Sequence, residues 1–369
     1  MTAHVRYTAW DADSPATLSE FVIREVIRTR IGFAGLLLTD DIDMQALVAI
    51  EKDKGIAVDD LLGTIAGALI HAYREYRGLS EETPVRIDFD KSTGSVTVIA
   101  AEVDEDGEIV SEYDDTPDNF ARLGAHAVRD AIVRRLREAE AGRAFDEYQE
   151  FEGRVVSGVV QRDATANSRG IVIVQLGTET DPQDGILLPA EQIPGEKLRH
   201  GDRVKAYIVG VNKGPRNVQV NLSRTHPELV RGLFELEIPE VADGSVEIIG
   251  IAREAGHRSK VAVTGKVKGL NAKGACIGPR GQRVTNIMNE LGGEKIDIID
   301  HSEDPATYVG NALAPSKVVN VEITDAEAQT AKVTVPDYQL SLAIGREGQN
   351  ARLAARLTGW KIDIHSDLS

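Results

Sequence analysis

The spacing of apolar positions changes several times along this chain, and each change marks a new kind of element. Over residues 44–77, Leu47, Ile50, Leu61, Leu62, Ile65, Leu69 and Ile70 recur at intervals of three and four, which predicts helix, with Gly55 breaking the run. Strands are predicted at Val85–Phe89, Val96–Val103 and Ile109–Tyr113, separated by Ser92-Thr93-Gly94 and Asp106-Gly107. Thr116-Pro117 then reads as cap and first position of a long helix through Ala121, Leu123, Val128, Ile132, Val133 and Leu136, ending before Gly142. From Gly153 the period becomes two. Short strands are predicted at Arg154–Val160, Gly170–Leu176, Gly185–Leu188, Arg203–Val209 and Val218–Leu222, with glycines 158, 170, 185 and 201 as punctuation. Five such strands imply a small barrel of the OB type.

Beyond His226-Pro227 the pattern becomes helix, strand, strand, helix–loop–helix, strand, ending at Asp300, and residues 305–365 repeat it. The repeat is also one of letters. Ile277-Gly278-Pro279-Arg280-Gly281-Gln282 returns 67 residues later as Ile344-Gly345-Arg346-Glu347-Gly348-Gln349, and each copy is followed by a helical run and Lys-Ile-Asp-Ile, at 295–298 and 361–364. A lone G-x-x-G is weak evidence. Read as ordinary helix–turn–helix connections, the copies would carry no chemistry, but agreement over about 20 residues argues against chance. A helix–GxxG–helix unit feeding a strand is the KH clamp for single-stranded nucleic acid. Glycines at those positions let a sugar–phosphate backbone approach closely, and the following helix offers unpaired N–H groups and a positive dipole end.

Candidate RNA-binding residues follow from that reading. In the first copy they are Gly278, Pro279, Arg280, Gly281, Gln282 and Arg283. In the second they are Gly345, Arg346, Glu347, Gly348, Gln349 and Asn350, with Glu347 expected to weaken phosphate attraction. Arg253, Arg258, Lys260 and Lys273, and Lys205 in the barrel, complete the set. Three residues, Ser302-Glu303-Asp304, join the two units, so they are expected to pack as one rigid block.

The net charge of −17 looks wrong for such a protein until it is mapped. Residues 1–147 hold 16 basic against 30 acidic residues, whereas residues 253–283 hold eight basic residues against Glu254 alone. The basic stretch coincides with the first clamp and is read as its electrostatic footprint. The acidic front suits a basic protein surface. In the barrel, the predicted strands offer only Tyr207 for base stacking, with His200 nearby, so contacts there are expected mainly from Arg162, Arg169, Lys205 and Lys213. Cys276 is the single cysteine, which excludes an internal disulfide and suits a reducing compartment, with packing rather than reactivity as its role. The longest clean apolar stretch, Phe33 to Leu38, is too short to span a bilayer, and no secretory signal follows Met1. A cytoplasmic chain without membrane contact is expected.

Gly201-Asp202 before the fourth barrel strand and Val220-Asn221-Leu222-Ser223 at its close resemble an S1-type RNA-binding domain. Barrel, then paired KH units, behind an acidic head: this order resembles the NusA family of bacterial transcription elongation factors. The most specific stretches are 253–260 (Arg-Glu-Ala-Gly-His-Arg-Ser-Lys), 274–283 around the first clamp and 340–354 around the second. The fold class is therefore α+β and multidomain: an α/β head at 44–147, an S1-type OB barrel at 148–227, and bacterial-type KH domains at 228–300 and 301–369. The resemblance implies a monomer that docks on RNA polymerase core through the head and holds single-stranded nascent RNA with barrel and KH block. It also implies effects on pausing, termination and antitermination alongside other elongation or antitermination factors. A general RNA-binding adaptor in ribosome assembly or RNA decay is the alternative, and a remnant glycosidase is a remote one.

Residues 1–43 do not fit that family. Tyr7-Thr8-Ala9-Trp10-Asp11 and Ile31-Gly32-Phe33-Ala34-Gly35-Leu36-Leu37-Leu38-Thr39-Asp40-Asp41 resemble a fragment of a bacterial β-N-acetylhexosaminidase of the NagZ type, in which Asp40 would match the catalytic nucleophile. Asp43-Met44-Gln45-Ala46-Leu47 suits both families. One strand and one helix cannot build a barrel pocket, so a loosely packed extension without activity is expected. No P-loop, C-x-x-C, H-E-x-x-H or G-x-S-x-G occurs, the histidines lack metal-ligand spacing, and neither cofactor, metal nor catalytic residue is expected.

Overall fold

The computed structural model describes residues 44–91, 95–104, 108–118, 120–178, 182–214 and 217–368. The extension at 1–43, with Asp40, and the turns at 92–94 and 106–107 lie outside the described residues. The described chain divides into two compact units, and the division falls between Arg143 and Ala144.

In the first unit, helices α1 (Met44–Lys54) and α2 (Val58–Arg77) precede an antiparallel sheet β1 (Val85–Phe89), β2 (Val96–Val103), β3 (Ile109–Asp114), followed by α3 (Phe120–Gln149), whose residues from Ala144 onward pass into the second unit. Asp59 and Asp60 in the first turn of α2 and Arg74 and Arg77 in its last complement the helix dipole. Gly78, left-handed at φ 66°, closes the helix by donating to the carbonyls of Arg74 and Glu75. The core joins Leu61, Ile65, Leu69 and Tyr73 of α2 to Val98 of β2 and to Phe120, Val128 and Ile132 of α3. Two details differ from the sequence reading. Thr116 does not cap α3, which starts at Phe120; its hydroxyl instead accepts the Val98 N–H at 2.8 Å and donates to Asp114 at 2.6 Å. Nor does Gly142 end α3, which continues to Gln149, because one interior glycine costs a helix only about 1 kcal/mol.

The second unit begins with a closed barrel. Strands β4 (Val155–Gln161), β5 (Val172–Gly177), β6 (Pro182–Leu187), β7 (Arg203–Lys213) and β8 (Val218–Ser223) run in the order β4-β5-β6-β8-β7, and β7 closes on β4. The β6–β8 contact is parallel and all others are antiparallel, an OB-like arrangement. Alternate residues point inward, among them Val174, Leu176, Leu187, Ile208, Val220 and Leu222. A short helix, α4 (Ala164–Ser168), lies between β4 and β5.

Two α-β-β-α-α-β modules follow. The first comprises α5 (Pro227–Glu237), α6 (Pro239–Ala242), β9 (Val246–Glu254), β10 (Arg258–Gly265), α7 (Ala272–Ile277), α8 (Gln282–Glu290) and β11 (Lys295–Asp300). The second comprises α9 (Pro305–Ala312), β12 (Asn320–Asp325), β13 (Thr330–Val335), α10 (Leu340–Ile344), α11 (Gln349–Thr358) and β14 (Lys361–Ser366). In each sheet the middle strand is antiparallel to the one before it and parallel to the last. The repeated Lys-Ile-Asp-Ile takes the same register in both, with Lys260 opposite Asp297 and Lys332 opposite Asp363.

The modules do not hang as beads. Ile193 of the barrel belongs to the first KH core with Leu229, Phe234, Val261, Cys276 and Ile298, and Val155 and Tyr207 pack against it. On the other face of that sheet, Ala262 and Ile299 share a core with Val309, Leu313, Val333, Ala343 and Ala354 of the second module. The first KH sheet is thus covered on both sides.

Candidate nucleic-acid interface

The two GxxG loops have one backbone. Gly278 and Gly345 take φ/ψ of 72°/175° and 78°/169°. Arg280 and Glu347, neither of them glycine, take 55°/21° and 54°/26°. Gly281 and Gly348 take 74°/14° and 75°/13°. Three positive-φ residues in each four-residue loop, reproduced within a few degrees, make the sequence repeat a structural one. The left-handed Arg280 and Glu347 are strained positions for residues with a β-carbon, and such strain concentrates where a ligand is held. The glycines have distinct jobs. A β-carbon on Gly281 or Gly348 would meet nothing within 4 Å, so that side of each loop is open. A β-carbon on Gly345 would lie 2.7 Å from the backbone nitrogen of Asn350, and one on Gly278 would lie 2.6 Å from Cγ of Arg283. Helices α8 and α11 start at these loops without any side-chain cap; the first N–H of each, from Gln282 and Gln349, turns back onto the Pro279 and Arg346 carbonyls, so what each helix presents towards the loop is the positive end of its dipole.

The charges around the loops divide differently from the sequence reading. Arg280 is exposed beside Gly281, Lys273 is half-buried and Lys268 is exposed, and none of the three has an ion pair among the described residues. Arg283 is instead a strut, donating to the Ala275 carbonyl at 2.7 Å and to Glu240 at 2.8 Å. Arg253, with only 1% of its side chain exposed, chelates Glu294 and donates to the His226 carbonyl. Lys260 is fully buried, 3.1 Å from Asp297 and donating to the Ala314 carbonyl of the next module at 2.7 Å. Burial pushes its ammonium below the ordinary lysine range, and Asp297 pulls it part of the way back. Arg258 forks onto the same Asp297, whose hydrogen bonds hold the guanidinium still higher than usual. Lys205 is tied to Glu290 through both its backbone N–H and its ammonium. Four of the predicted RNA contacts, Arg253, Arg258, Lys260 and Arg283, are therefore committed to internal partners. A buried cation must be paired, and a count of charges along the chain does not see which face they point to.

In the second loop Arg346 and Glu347 stand in solvent, 93% and 83% exposed, with their charged groups 3.8 Å apart. Gln349 donates to Glu254 at 2.9 Å. Asn350 is buried and donates to the carbonyls of Leu313 and Ala343, which places it inside the fold. In the first loop Gln282, the counterpart of Gln349, donates to Asn286 and stays exposed, as do Pro279 and Arg280. Cys276 is buried next to the first loop, and burial raises its thiol to about 11, so it is a packing residue.

In the barrel, Tyr207 is half-buried and one face of its ring is already occupied. Its ring stacks on His226 with centroids 4.5 Å apart at 9°, sealing the joint with the first KH module. Arg162, Arg169, His200 and Lys213 are exposed. The residue missed in the sequence is Arg224, 1% exposed, which donates to Glu196, to Glu290 and to the carbonyls of Lys205 and Glu290. It ties barrel to KH helix α8, and nothing in its sequence setting distinguishes it from a surface arginine. Among the described residues no group of histidine, cysteine and carboxylate side chains could hold a metal, and no helix is long and apolar enough to cross a membrane.

An OB-like barrel fused to two KH modules with open clamps defines a multidomain protein assembled from nucleic-acid-binding folds. Family models agree in detail: the NusA-like first KH domain matches residues 224–301 and the NusA-like second KH domain matches 305–369. Over 327 residues the chain is 58% identical to the transcription termination/antitermination protein NusA of Mycobacterium tuberculosis, covering 89% of this chain and 94% of that protein. The Bacillus subtilis protein of the same name is 43% identical over 348 residues, covering 88% and 90%. The chain belongs to the NusA family. The solved N-terminal domain of NusA from B. subtilis matches 26% of this chain and 94% of its own, at 31% identity and a TM-score of 0.22. A further model, the glycosyl hydrolase family 3 N-terminal domain, matches residues 1–81. Of that span, the described part from Leu47 to Tyr73 packs into the head core with β2 and α3.

Proposed function

We propose that this chain is an RNA-binding transcription elongation factor that engages RNA polymerase core through residues 44–147 and single-stranded nascent RNA through the barrel and both KH clamps. In this reading it modulates pausing, termination and antitermination in the cytoplasm, as a monomer, together with other elongation or antitermination factors. It is not an enzyme: the glycosidase-like segment supplies one candidate carboxylate, Asp40, and retaining glycoside hydrolysis needs a second acid/base group beside the first.

The observation that carries the reading is the pair of superimposable GxxG loops, each opening on an uncapped helix, in a chain 58% identical to a named termination/antitermination protein. Lys273 and Arg280 supply unpaired cationic character at the first loop. The experiment is the lifetime of a hairpin-stabilised pause by bacterial RNA polymerase. Addition of the chain should lengthen it, and truncation of residues 1–147 should abolish the effect while RNA binding persists. An unchanged pause together with intact RNA binding would move the chain to an adaptor role away from polymerase.

A further inference from the structure

The turn between β9 and β10, residues 254–257, is where three modules meet. Its Gly256 N–H donates to buried Glu294 of the first KH module, and a β-carbon on Gly256 would lie 3.0 Å from Ile193 and 3.2 Å from the Pro194 carbonyl of the barrel. Its Glu254 reaches the other way, into the second module. One carboxylate oxygen accepts from Nε of Arg352 at 2.7 Å, the other from Nε2 of Gln349 at 2.9 Å. Both partners lie in the first turn of α11, the helix that the second GxxG loop opens, and Gln349 directly follows Gly348. Arg352 then donates back to the carbonyl of Glu347, inside the loop itself, at 3.2 Å. Glu254 therefore holds the second clamp at two points, directly and through Arg352. The first clamp has an analogous handle at the far end of its helix, where Arg224 of the barrel grips Glu290 of α8.

We propose that Glu254 is a positioning residue for the second clamp, so that the RNA affinity of the GxxG loop at 345–348 depends on the first KH module docking against it. This rests on the RNA-binding reading above. The loop carries a left-handed Glu347 and lacks any side-chain cap on α11, so its geometry is held from outside. Charge-assisted hydrogen bonds to Gln349 and Arg352 supply that hold. Burial of Glu254 is incomplete, with 18% of the side chain exposed, so its loss leaves no trapped charge and the fold survives.

The test is a double-mutant cycle on the full chain, with a short, unstructured, fluorescein-labelled adenine/cytosine RNA as probe. Glu254→Ala should weaken binding roughly fivefold, the equivalent of about 1 kcal/mol, and Arg352→Ala should do the same. In a Gly348→Asp background, where the second clamp is already lost, Glu254→Ala should add nothing. Amide hydrogen exchange should speed up at 345–349 and stay unchanged at 278–282, and Glu254→Gln should restore much of both readouts. A full additional loss in the Gly348→Asp background, or unchanged exchange at 345–349, overturns the proposal. Wild-type chain that binds no RNA overturns the RNA-binding reading instead, while the exchange result still decides whether Glu254 positions the loop.

Discussion

Substituting aspartate at Gly281 separates a binding role for the clamp from a folding role. Its β-carbon would enter open space, so no packing is disturbed. The φ of 74° costs a residue with a side chain about 1 kcal/mol, and aspartate tolerates that region better than most. The new carboxylate would stand where a phosphate is read to lie. At a separation of about 5 Å the repulsion is roughly 1 kcal/mol in a water-like dielectric and roughly 3 kcal/mol at an effective dielectric near 20. Affinity should therefore fall about five- to hundredfold. Gly348→Asp has the same geometry, with φ 75° and open space, but Arg346 there already faces Glu347. Its loss should be several-fold smaller. Fluorescence anisotropy with labelled single-stranded RNA at several salt concentrations measures both, and each lost phosphate contact should flatten the log–log salt slope by about 0.7. Equal losses at the two sites, or an unchanged slope for Gly281→Asp, would refute the electrostatic ranking.

Gly345→Ala should destabilise the second KH module by about 3 kcal/mol, because its β-carbon meets backbone that cannot move aside, whereas Gly278→Ala should cost about 1–2 kcal/mol by displacing a flexible arginine stem; urea titrations compare them. Lys260→Met should leave RNA affinity unchanged and stability within about 1 kcal/mol, since a buried charge is replaced by an apolar side chain while Asp297 keeps Arg258. A tenfold loss of RNA binding in that variant would return Lys260 to the interface. Burial, reinforced by Asp115, raises the Tyr73 phenol to about 12, so the stability it contributes is fully present below pH 10 and is lost as pH rises towards 12. Tyr73→Phe should remove that alkaline loss, as followed by circular dichroism of the head.

The period changes at residues 44, 153 and 227 were enough to place most helices and strands, because half-buried elements write their packing face into the sequence. The paired GxxG loops were legible for a different reason: glycine is demanded by left-handed backbone, and two identical demands at one spacing are rarely accidental. Lys260 shows where legibility stops. Lys260 reads as an RNA contact in a basic stretch, yet β10 is central in a sheet covered on both faces, and Ser259 and Lys260, on opposite faces of it, find partners in Glu294 and in Asp297 and Ala314 respectively. Arg253 and Arg283 fail for the same reason, since their partners Glu294 and Glu240 are some 40 residues away in sequence. Tyr207 was visible as an aromatic on a barrel strand, but its stacking on His226 depends on how barrel and KH module dock, which no local pattern encodes.

The double covering of β9, β10 and β11 makes the boundary between the KH modules a poor place to cut. Severing the chain within 302–304 would strip Ala262 and Ile299 of their cover and leave the Lys260 ammonium without the Ala314 carbonyl. The orphaned first module would present a sticky apolar face, and the liberated second would lose the support that Glu254 gives its clamp. Recombination, truncation and domain shuffling should therefore preserve these two modules as a pair. The heritable piece is the tandem.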